Sequence, residues 1–129
     1  MKAFTVYQPY AYAIVAGLKE YETRSMRTNI RGRVAVHAAK GRSFISMDAV
    51  MALPKHPELR FGAVLGTVEI VDCLPAEKVI HTLTERERSL GNFSPGHFAW
   101  VLKNPVMFAE PVPARGKQGW WNWEGGGEK

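Results

Sequence analysis

The sequence is poor in the residues and patterns that mark several classes of protein. It contains one cysteine, Cys73, which excludes an internal disulfide and gives no zinc-binding pattern. No apolar run approaches the ~18 residues of a membrane-spanning helix, and the N-terminal apolar stretch is too short for a signal peptide. No repeat or linker divides the chain. We therefore expect a cytoplasmic protein without a membrane segment, a metal site or a cofactor.

The 129 residues, 46% of them hydrophobic, have the size and composition of one globular domain. We predict a single domain over residues 1–124. The glycine-rich residues 125–129 are expected to form a flexible C-terminal tail.

Positive charge is concentrated in one part of the chain. The formal net charge is +5, and residues 19–42 hold seven basic residues against two acidic ones, whereas the remaining ten basic and ten acidic residues balance. Such an excess predicts a surface for phosphates, with RNA or DNA as the partner. The solvated face of a hairpin is the alternative. The basic residues are Lys19, Arg24, Arg27, Arg31, Arg33, Lys40 and Arg42.

Strand-forming and helix-forming segments follow one another without the regular alternation of a doubly wound sheet. Gly17 is expected to end the first helix, Gly66 to mark a bend or a bulge in the longest strand, and residues 21–39 to form a hairpin-like unit. Strands are predicted at 4–7, 21–24, 33–39, 63–73, 97–103 and 117–123, and helices at 9–16, 45–53 and 83–91. This pattern predicts an α+β fold, a small mixed β-barrel of about five or six strands with two or three short helices.

The segment from Gly17 to Arg24 fits the pattern G-x-K-x-x-E-x-R. In an extended strand Glu22 and Arg24 lie on the same side of the pleat, close enough to pair or to flank one ligand. Lys19 is expected at the rim before the strand, where an ammonium group can reach a phosphate or a base carbonyl. An ordinary salt bridge at a strand entry is the alternative interpretation.

Four ordered groups of residues make the chain resemble the ASCH (activating signal cointegrator homology) domain of the PUA-like superfamily. The resemblance covers roughly residues 4–123. The first group is the opening of the domain, with QPYA at 8–11, the motif at 17–24, RGR at 31–33 and VHAAK at 36–40. The other three are GAVLGTVEIVDC at 62–73, FAWVLKNP at 98–105 and RGKQGWW at 115–121.

The resemblance implies a PUA-like β-barrel with a cleft between the barrel and its first helix, in a family linked to RNA or DNA binding. Its motif falls on Gly17, Lys19, Glu22 and Arg24, which are expected to line that cleft. We hypothesise binding of nucleic acid, RNA in preference to DNA, with a modified nucleoside as a further candidate ligand. Tyr10 would stack on a base beside Lys19, Glu22 and Arg24, while the other arginines and lysines hold phosphates.

Two hydrolase activities stay open as alternatives. Some small ASCH proteins deacylate an acylated cytidine, for which the resemblance implies a lysine, a threonine three residues later and a distant glutamate. Lys19 matches the lysine, but Glu22 occupies the threonine position, and Glu85 and Glu87 come too early for a secure match. A ribonuclease would recruit Lys19, Glu22 and His37.

Alternation along residues 33–39 places His37 on the face opposite Val36 and Ala38, towards the cleft or solvent. His37 is therefore a candidate ligand contact. Trp100 and Trp121 are expected to fill the core more readily than to stack on a base.

Overall fold

The structure, a computed structural model, describes residues 1–41, 47–54 and 57–125, and nothing of the Met47 side chain. Arg42, the start of the helix predicted at 45–53 and residues 126–129 of the tail predicted at 125–129 lie outside the described residues. The strands are β1 (Lys2–Val6), β2 (Tyr21–Arg24), β3 (Gly32–Ala38), β4 (Ala63–Pro75), β5 (Phe98–Pro113) and β6 (Trp121–Asn122). The helices are α1 (Tyr10–Val15), α2 (Met47–Met51) and α3 (Glu85–Ser89), with 3-10 turns at Ala76–Lys78 and Ile80–Thr82.

The six strands form one mixed sheet in the order β2-β5-β4-β3-β1-β6. β1 runs parallel to β3, and the other neighbouring pairs are antiparallel. The α+β class and the numbers of strands and helices are therefore confirmed. Closure into a barrel is not shown, since the order of the described strands ends at β2 and β6.

The sheet nevertheless curls strongly, as contacts between side chains of non-neighbouring strands show. The rings of Phe4 on β1 and Trp100 on β5 lie 5.9 Å apart between centroids, although β3 and β4 stand between these strands in the ladder. α1 packs against β3, β4 and β5 and contributes Ile14 and Val15 to the main core. Among the described residues, no helix combines the length and apolar character needed to cross a membrane.

Gly66 allows β4 to bend. The register of β4 shifts at Gly66 against β5, and it also shifts against β3 opposite Val36 and His37. A Cβ atom added to Gly66 would lie 2.0 Å from the carbonyl oxygen of Val106, so the two backbones approach at a distance that only glycine permits. The sequence predicted a bend or a bulge at this glycine, and the register shifts show a bulge.

Three sequence predictions about the strands are wrong. β2 pairs with β5, and β3 pairs with β1 and β4, so residues 21–39 form no hairpin. β5 continues from Phe98 through Pro113, although prolines favour an earlier end. The prolines of β5 lie beyond Phe98–Val101, the stretch that pairs with β2. On the β2 side of the strand they therefore remove no hydrogen bond between strands. β6 is confined to two residues, Trp121 and Asn122.

Candidate functional site

The turn after α1 directs Lys19 into the protein. Gly17 has a φ of +79°, and the backbone N–H groups of Leu18 and Lys19 both donate to the Ala13 carbonyl, at 2.8 and 3.0 Å. This closes the helix at the predicted glycine. Lys19 is only 3% exposed, its Nζ donates to the Tyr21 carbonyl, and it lies 3.9 Å from Glu22 Oε1. The predicted position at an exposed rim is wrong, because the turn folds the side chain inward.

Glu22 and Arg24 share one face of β2, as their spacing predicts. Arg24 Nε donates to Glu22 Oε2 at 2.6 Å, and Arg24 Nη2 donates to the Thr5 carbonyl of β1 at 2.9 Å. Glu22 is buried, whereas the Arg24 side chain is 31% exposed. Arg24 thus bridges from β2 to the edge of β1 beyond the two residues that β6 covers. Glu22 and Arg24 therefore form the salt bridge that the sequence allowed, and the Arg24 side chain is partly exposed to solvent.

The Arg24 guanidinium lies against two rings of a three-ring cluster that we call the aromatic floor, formed by Phe4, Trp100 and Trp120. Its Cζ is 5.6 Å from the Phe4 centroid and 5.3 Å from the Trp100 centroid. Trp100 and Trp120 stack with centroids 5.5 Å apart and planes inclined by 12°. Phe4 and Trp100 are buried, and Trp120 is half-buried, so Trp120 offers the accessible ring.

A cleft of about 1180 Å³ opens over this floor. Residues from β1, β2, the segment after β2, the end of β3 and the segment between β5 and β6 line it. In the described part of the chain, every charged residue of its lining is basic, and Ser25, Asn29 and Gln118 add neutral polar groups. The basic lining residues are Arg24, Arg27, Lys40, Arg115 and Lys117.

The basic residues predicted from the local charge excess divide into two sets. Arg24, Arg27 and Lys40 line the cleft. Arg31 and Arg33 do not line it: Arg31 lies 3.9 Å from Asp72, and Arg33 lies 3.8 Å from Glu69 and donates to Thr67 Oγ1 at 2.8 Å. Carboxylates of β4 therefore partly neutralise this second set.

Arg115 and Lys117 are cleft residues that the sequence reasoning missed. They lie far along the chain from residues 19–42, in a part where basic and acidic residues balance. A local charge count could not find them. The matching RGKQGWW segment around them was the available signal.

His37 lines the cleft but is almost fully buried in its wall. Its Nε2 lies 2.7 Å from the Ala114 carbonyl and its Nδ1 lies 3.2 Å from Thr5 Oγ1, while its ring meets Trp121 edge to face at 5.4 Å. Burial lowers the pKa of His37, and the hydrogen bond to Ala114 partly opposes this effect. The prediction that His37 faces away from the main core is confirmed.

The predicted stacking residue lies elsewhere. Tyr10 packs half-buried against the core and lines a second, smaller cavity, whereas the cleft lining has accessible rings at Trp120, Tyr7 and Phe61. Alternation along the chain separates Trp120 from Trp121, which is buried beside Ala3 and Ala35. Sequence alone did not reveal which of these neighbouring tryptophans faces the cleft.

The second cavity, of about 470 Å³, contains Lys19, Glu22 and Tyr10 in its lining and shares Arg24 with the cleft. Glu87 of α3 lies behind it, buried, and its carboxylate accepts from the backbone N–H groups of Glu20 at 2.9 Å and Tyr21 at 3.2 Å.

Burial shifts two pKa values around this cavity. It lowers the pKa of Lys19, and the carboxylates of Glu22 and Glu87 partly oppose this shift. Burial also raises the pKa of Glu87, against its hydrogen bonds and the nearby Lys19. Lys19, Glu22 and Glu87 therefore form a buried charged network. The sequence indicates Glu87 only as an insecure match to the hydrolase glutamate, not as a partner of Lys19.

No group of three or more His, Cys, Asp or Glu residues that could hold a metal ion occurs in the described ranges. Thr23 lines the second cavity, and its hydroxyl accepts from the Asn92 backbone N–H at 2.9 Å. Ser25 lines the cleft.

The fold and the motif together define the class of protein. A family model described as the ASCH domain matches residues 4–112, so the chain belongs to the ASCH domain family, as the ordered motifs predicted.

Relatives and solved structures agree with this membership. Activating signal cointegrator 1 of Homo sapiens and that of Mus musculus are each 27% identical over 127 residues, which covers 91% of this chain and 21% of theirs. The chain thus spans about a fifth of the length of these relatives. The crystal structure of ASCH from Zymomonas mobilis has a TM-score of 0.55 at 15% identity, covering 87% of this chain and 72% of that one. A mutant of the same protein gives 0.54, with 87% and 74% covered. These likenesses show the shared ASCH-like fold.

Proposed function

We propose that this protein binds single-stranded nucleic acid, RNA in preference to DNA, with one unpaired base in the cleft and phosphates on the surrounding basic side chains. The observation that carries the proposal is the pairing of an accessible tryptophan with a lining whose described charges are all positive. Phosphates require cations, and bases require aromatic faces.

The aromatic floor supplies a stacking surface. Trp120 rests on Trp100, which is itself held by a hydrogen bond from its Nε1 to the Met26 carbonyl at 3.1 Å. The ring is thus fixed before a ligand arrives, so little side-chain entropy is lost on binding. A base stacked on such a ring gains about 1–3 kcal/mol. Unpaired bases offer their faces for this contact, whereas paired bases do not.

The basic residues reach the cleft from separate parts of the fold. Arg27 follows β2, Lys40 follows β3, and Arg115 and Lys117 follow β5. Arg27 also lies with its Cζ 4.8 Å from the Phe98 ring centroid, which restricts its position. A volume of about 1180 Å³ exceeds the roughly 300–1,000 Å³ usual for small-molecule pockets. A strand with several phosphates uses this surface better than a free nucleoside does.

Lys19 and Glu22 support the site from behind. Glu22 Oε2 accepts from Arg24 Nε at 2.6 Å and so holds Arg24 against the aromatic floor. The buried Lys19 Nζ lies 3.9 Å from Glu22 Oε1 and compensates its charge. In this proposal Arg24 is the part of the motif that meets the ligand, and Glu22 and Lys19 fix its orientation.

Fluorescence anisotropy with a labelled oligouridine of about ten nucleotides tests the proposal. Binding should weaken steeply between about 50 and 200 mM salt. Replacing Arg27, Lys40, Arg115 and Lys117 by glutamine should reduce the salt slope by about 0.7 for each residue that contacts a phosphate.

The matched control is Arg31→Gln with Arg33→Gln, which removes two cations already beside carboxylates, outside the cleft. Its salt slope should stay at the wild-type value. Salt-independent affinity, or an equal loss in the control, would refute the proposal. Oligodeoxythymidine and free uridine as competitors separate RNA from DNA and a strand from a nucleoside.

A hydrolase that uses Lys19 is the second candidate, and the lowered pKa of that buried lysine at a cavity wall favours it. The test incubates the protein with an N-acylated cytidine and with RNA, with and without divalent metal. Product that disappears in Lys19→Met would support this activity, and no product in any reaction would exclude it for these substrates.

A further inference from the structure

A network of hydrogen bonds ties the basic wall of the cleft to β1 through His37 and Thr5. We name the segment 114–120 the cleft wall, since it supplies Arg115, Lys117 and Trp120 to the lining. Thr5 Oγ1 lies 3.2 Å from His37 Nδ1, 3.3 Å from the Lys117 carbonyl oxygen and 3.2 Å from Trp121 Nε1. His37 Nε2 lies 2.7 Å from the Ala114 carbonyl oxygen.

The wall passes His37 and Thr5 closely. A Cβ atom on Gly116 would lie 2.6 Å from His37 Nδ1 and 2.7 Å from Thr5 Oγ1. Only a glycine fits this crossing. The position of the wall therefore depends on the same few atoms that form the hydrogen-bond network.

The number of protons in the network depends on the charge of His37. The Ala114 carbonyl can only accept, so Nε2 carries a hydrogen and the Nδ1 of a neutral ring must accept. Trp121 Nε1 can only donate, to Thr5 Oγ1. The single Thr5 hydroxyl proton then has two acceptors, His37 Nδ1 and the Lys117 carbonyl, and it can serve one of them.

Protonation of His37 removes this conflict. Nδ1–H then donates to Thr5 Oγ1, which has two lone pairs and also accepts from Trp121, and the Thr5 hydroxyl proton is free to donate to the Lys117 carbonyl. Every group in the network is satisfied, and the wall gains a hydrogen bond to β1. One added proton therefore fastens the segment that carries Arg115, Lys117 and Trp120.

We propose that His37 is a positioning residue whose protonation, relayed by the Thr5 hydroxyl, fastens the cleft wall and strengthens ligand binding. This regulation rests on the proposed function of the cleft. His37 contacts no ligand in this scheme. It acts through Thr5 and the Lys117 carbonyl.

The surroundings of His37 set the direction of its titration. β1 presents Thr5, β6 presents Trp121 and β4 presents Val64 opposite His37. The charged side chains around these contacts include Arg115 and Lys117 on the wall and Arg24 at the Thr5 carbonyl, all cations. Burial lowers the pKa of His37 below its ordinary value of 6.5. Affinity should therefore rise as the pH falls from neutral through that lowered value, and bound nucleic acid should raise the His37 pKa in return.

The test measures the affinity for oligouridine at about pH 7.5 and at a lower pH at which the NMR shift of the His37 ring shows that the ring is protonated. Uracil is used because it gains no proton there. The wild type should bind about fivefold tighter at the lower pH, the factor that one hydrogen bond contributes. Thr5→Val keeps the histidine charge but removes the relay, so its affinity should be independent of pH, while Thr5→Ser should behave as the wild type. A pH effect that persists in Thr5→Val would reflect the histidine charge alone and would overturn the relay.

NMR of the ligand-free protein separates this inference from the proposed function. The Gln118 backbone amide, next to the Lys117 carbonyl, should shift with the His37 ring in the wild type and stop doing so in Thr5→Val. If no nucleic acid binds at any pH, the proposed function fails, yet this coupled shift would still show the relay. An amide that ignores His37 in the wild type would overturn the inference, whether or not RNA binds.

Discussion

The two cavities that meet at Arg24 treat charge in opposite ways. In the cleft the described charged side chains are all positive and border an open volume of about 1180 Å³. In the smaller cavity Lys19 and Glu22 are buried, with Glu87 behind them, and opposite charges compensate each other there. One eight-residue motif contributes to both sites, because Glu22 is buried on the same face of β2 from which the longer Arg24 side chain reaches the edge of β1.

A run of basic residues in the sequence therefore does not by itself predict a basic surface in the folded protein. Buried charges are stable only when they are paired, so the charges inside serve the fold. Charges with open surroundings remain free to attract phosphates. Arg31 and Arg33 belong to neither extreme, since they lie near Asp72 and Glu69 on the sheet surface.

Glu22→Ala should have the largest effect, a loss of stability caused by disrupting the buried charged network. It leaves Lys19 buried without its nearest carboxylate and releases Arg24 from the aromatic floor. Removing one partner of a buried ion pair costs about 3–5 kcal/mol, and urea unfolding would measure it. Glu58→Ala, at an exposed position, is the control and should stay within about 0.5 kcal/mol of the wild type. Similar losses in the two variants would contradict a structural role for the buried network.

Trp120→Ala should act on binding in the cleft. Loss of the accessible ring removes a stacking contact worth about 1–3 kcal/mol, which corresponds to an affinity for oligouridine lower by roughly 5-fold to 150-fold. Trp120→Phe keeps an aromatic face and should retain most of the affinity. If alanine and phenylalanine variants bind as tightly as the wild type, the base does not stack on Trp120.

Glu87→Gln should have the smallest effect, a change in how the free energy of unfolding depends on pH. Burial raises the pKa of Glu87 in the folded protein, so the carboxyl holds its proton at pH values where the unfolded chain has released it. The free energy of unfolding of the wild type, relative to the glutamine variant, should therefore be highest below 4.5, the ordinary pKa, and fall as the pH rises through the raised value.

Urea unfolding of both proteins on either side of that window measures the difference. Each measurement at one pH compares the two chains directly, so the other titrating groups cancel. A difference that stays constant, or that grows in favour of the wild type as the pH rises, would contradict burial as the dominant influence on Glu87.

Local patterns in the sequence predicted much of the fold. The end of α1 at Gly17 and the bulge at Gly66 follow from the backbone freedom of glycine. The pairing of Glu22 with Arg24 follows from the two-residue repeat of a strand. Each feature depends on residues close together in the chain.

The partners of each strand and the free charges could not be predicted in this way. Nothing near β2 in the sequence indicates that it pairs with β5, and this pairing made the expected hairpin wrong. Glu87 lies 67 residues from Glu20, whose N–H it accepts, and Thr5 lies 32 residues from His37. Such contacts depend on the order of strands in the sheet, which local propensity does not determine.

Family membership, the main secondary-structure elements and the Glu22–Arg24 pair could be predicted before folding was considered, because ordered motifs and short periodicities carry that information. Which charges face the cleft depends on the three-dimensional arrangement of the strands. The curl of the sheet brings Arg115, Lys117 and Trp120 to Arg24, while β4 supplies carboxylates to Arg31 and Arg33. The sequence gives the charge of a side chain, but its partner and its access to solvent depend on residues that only folding brings together.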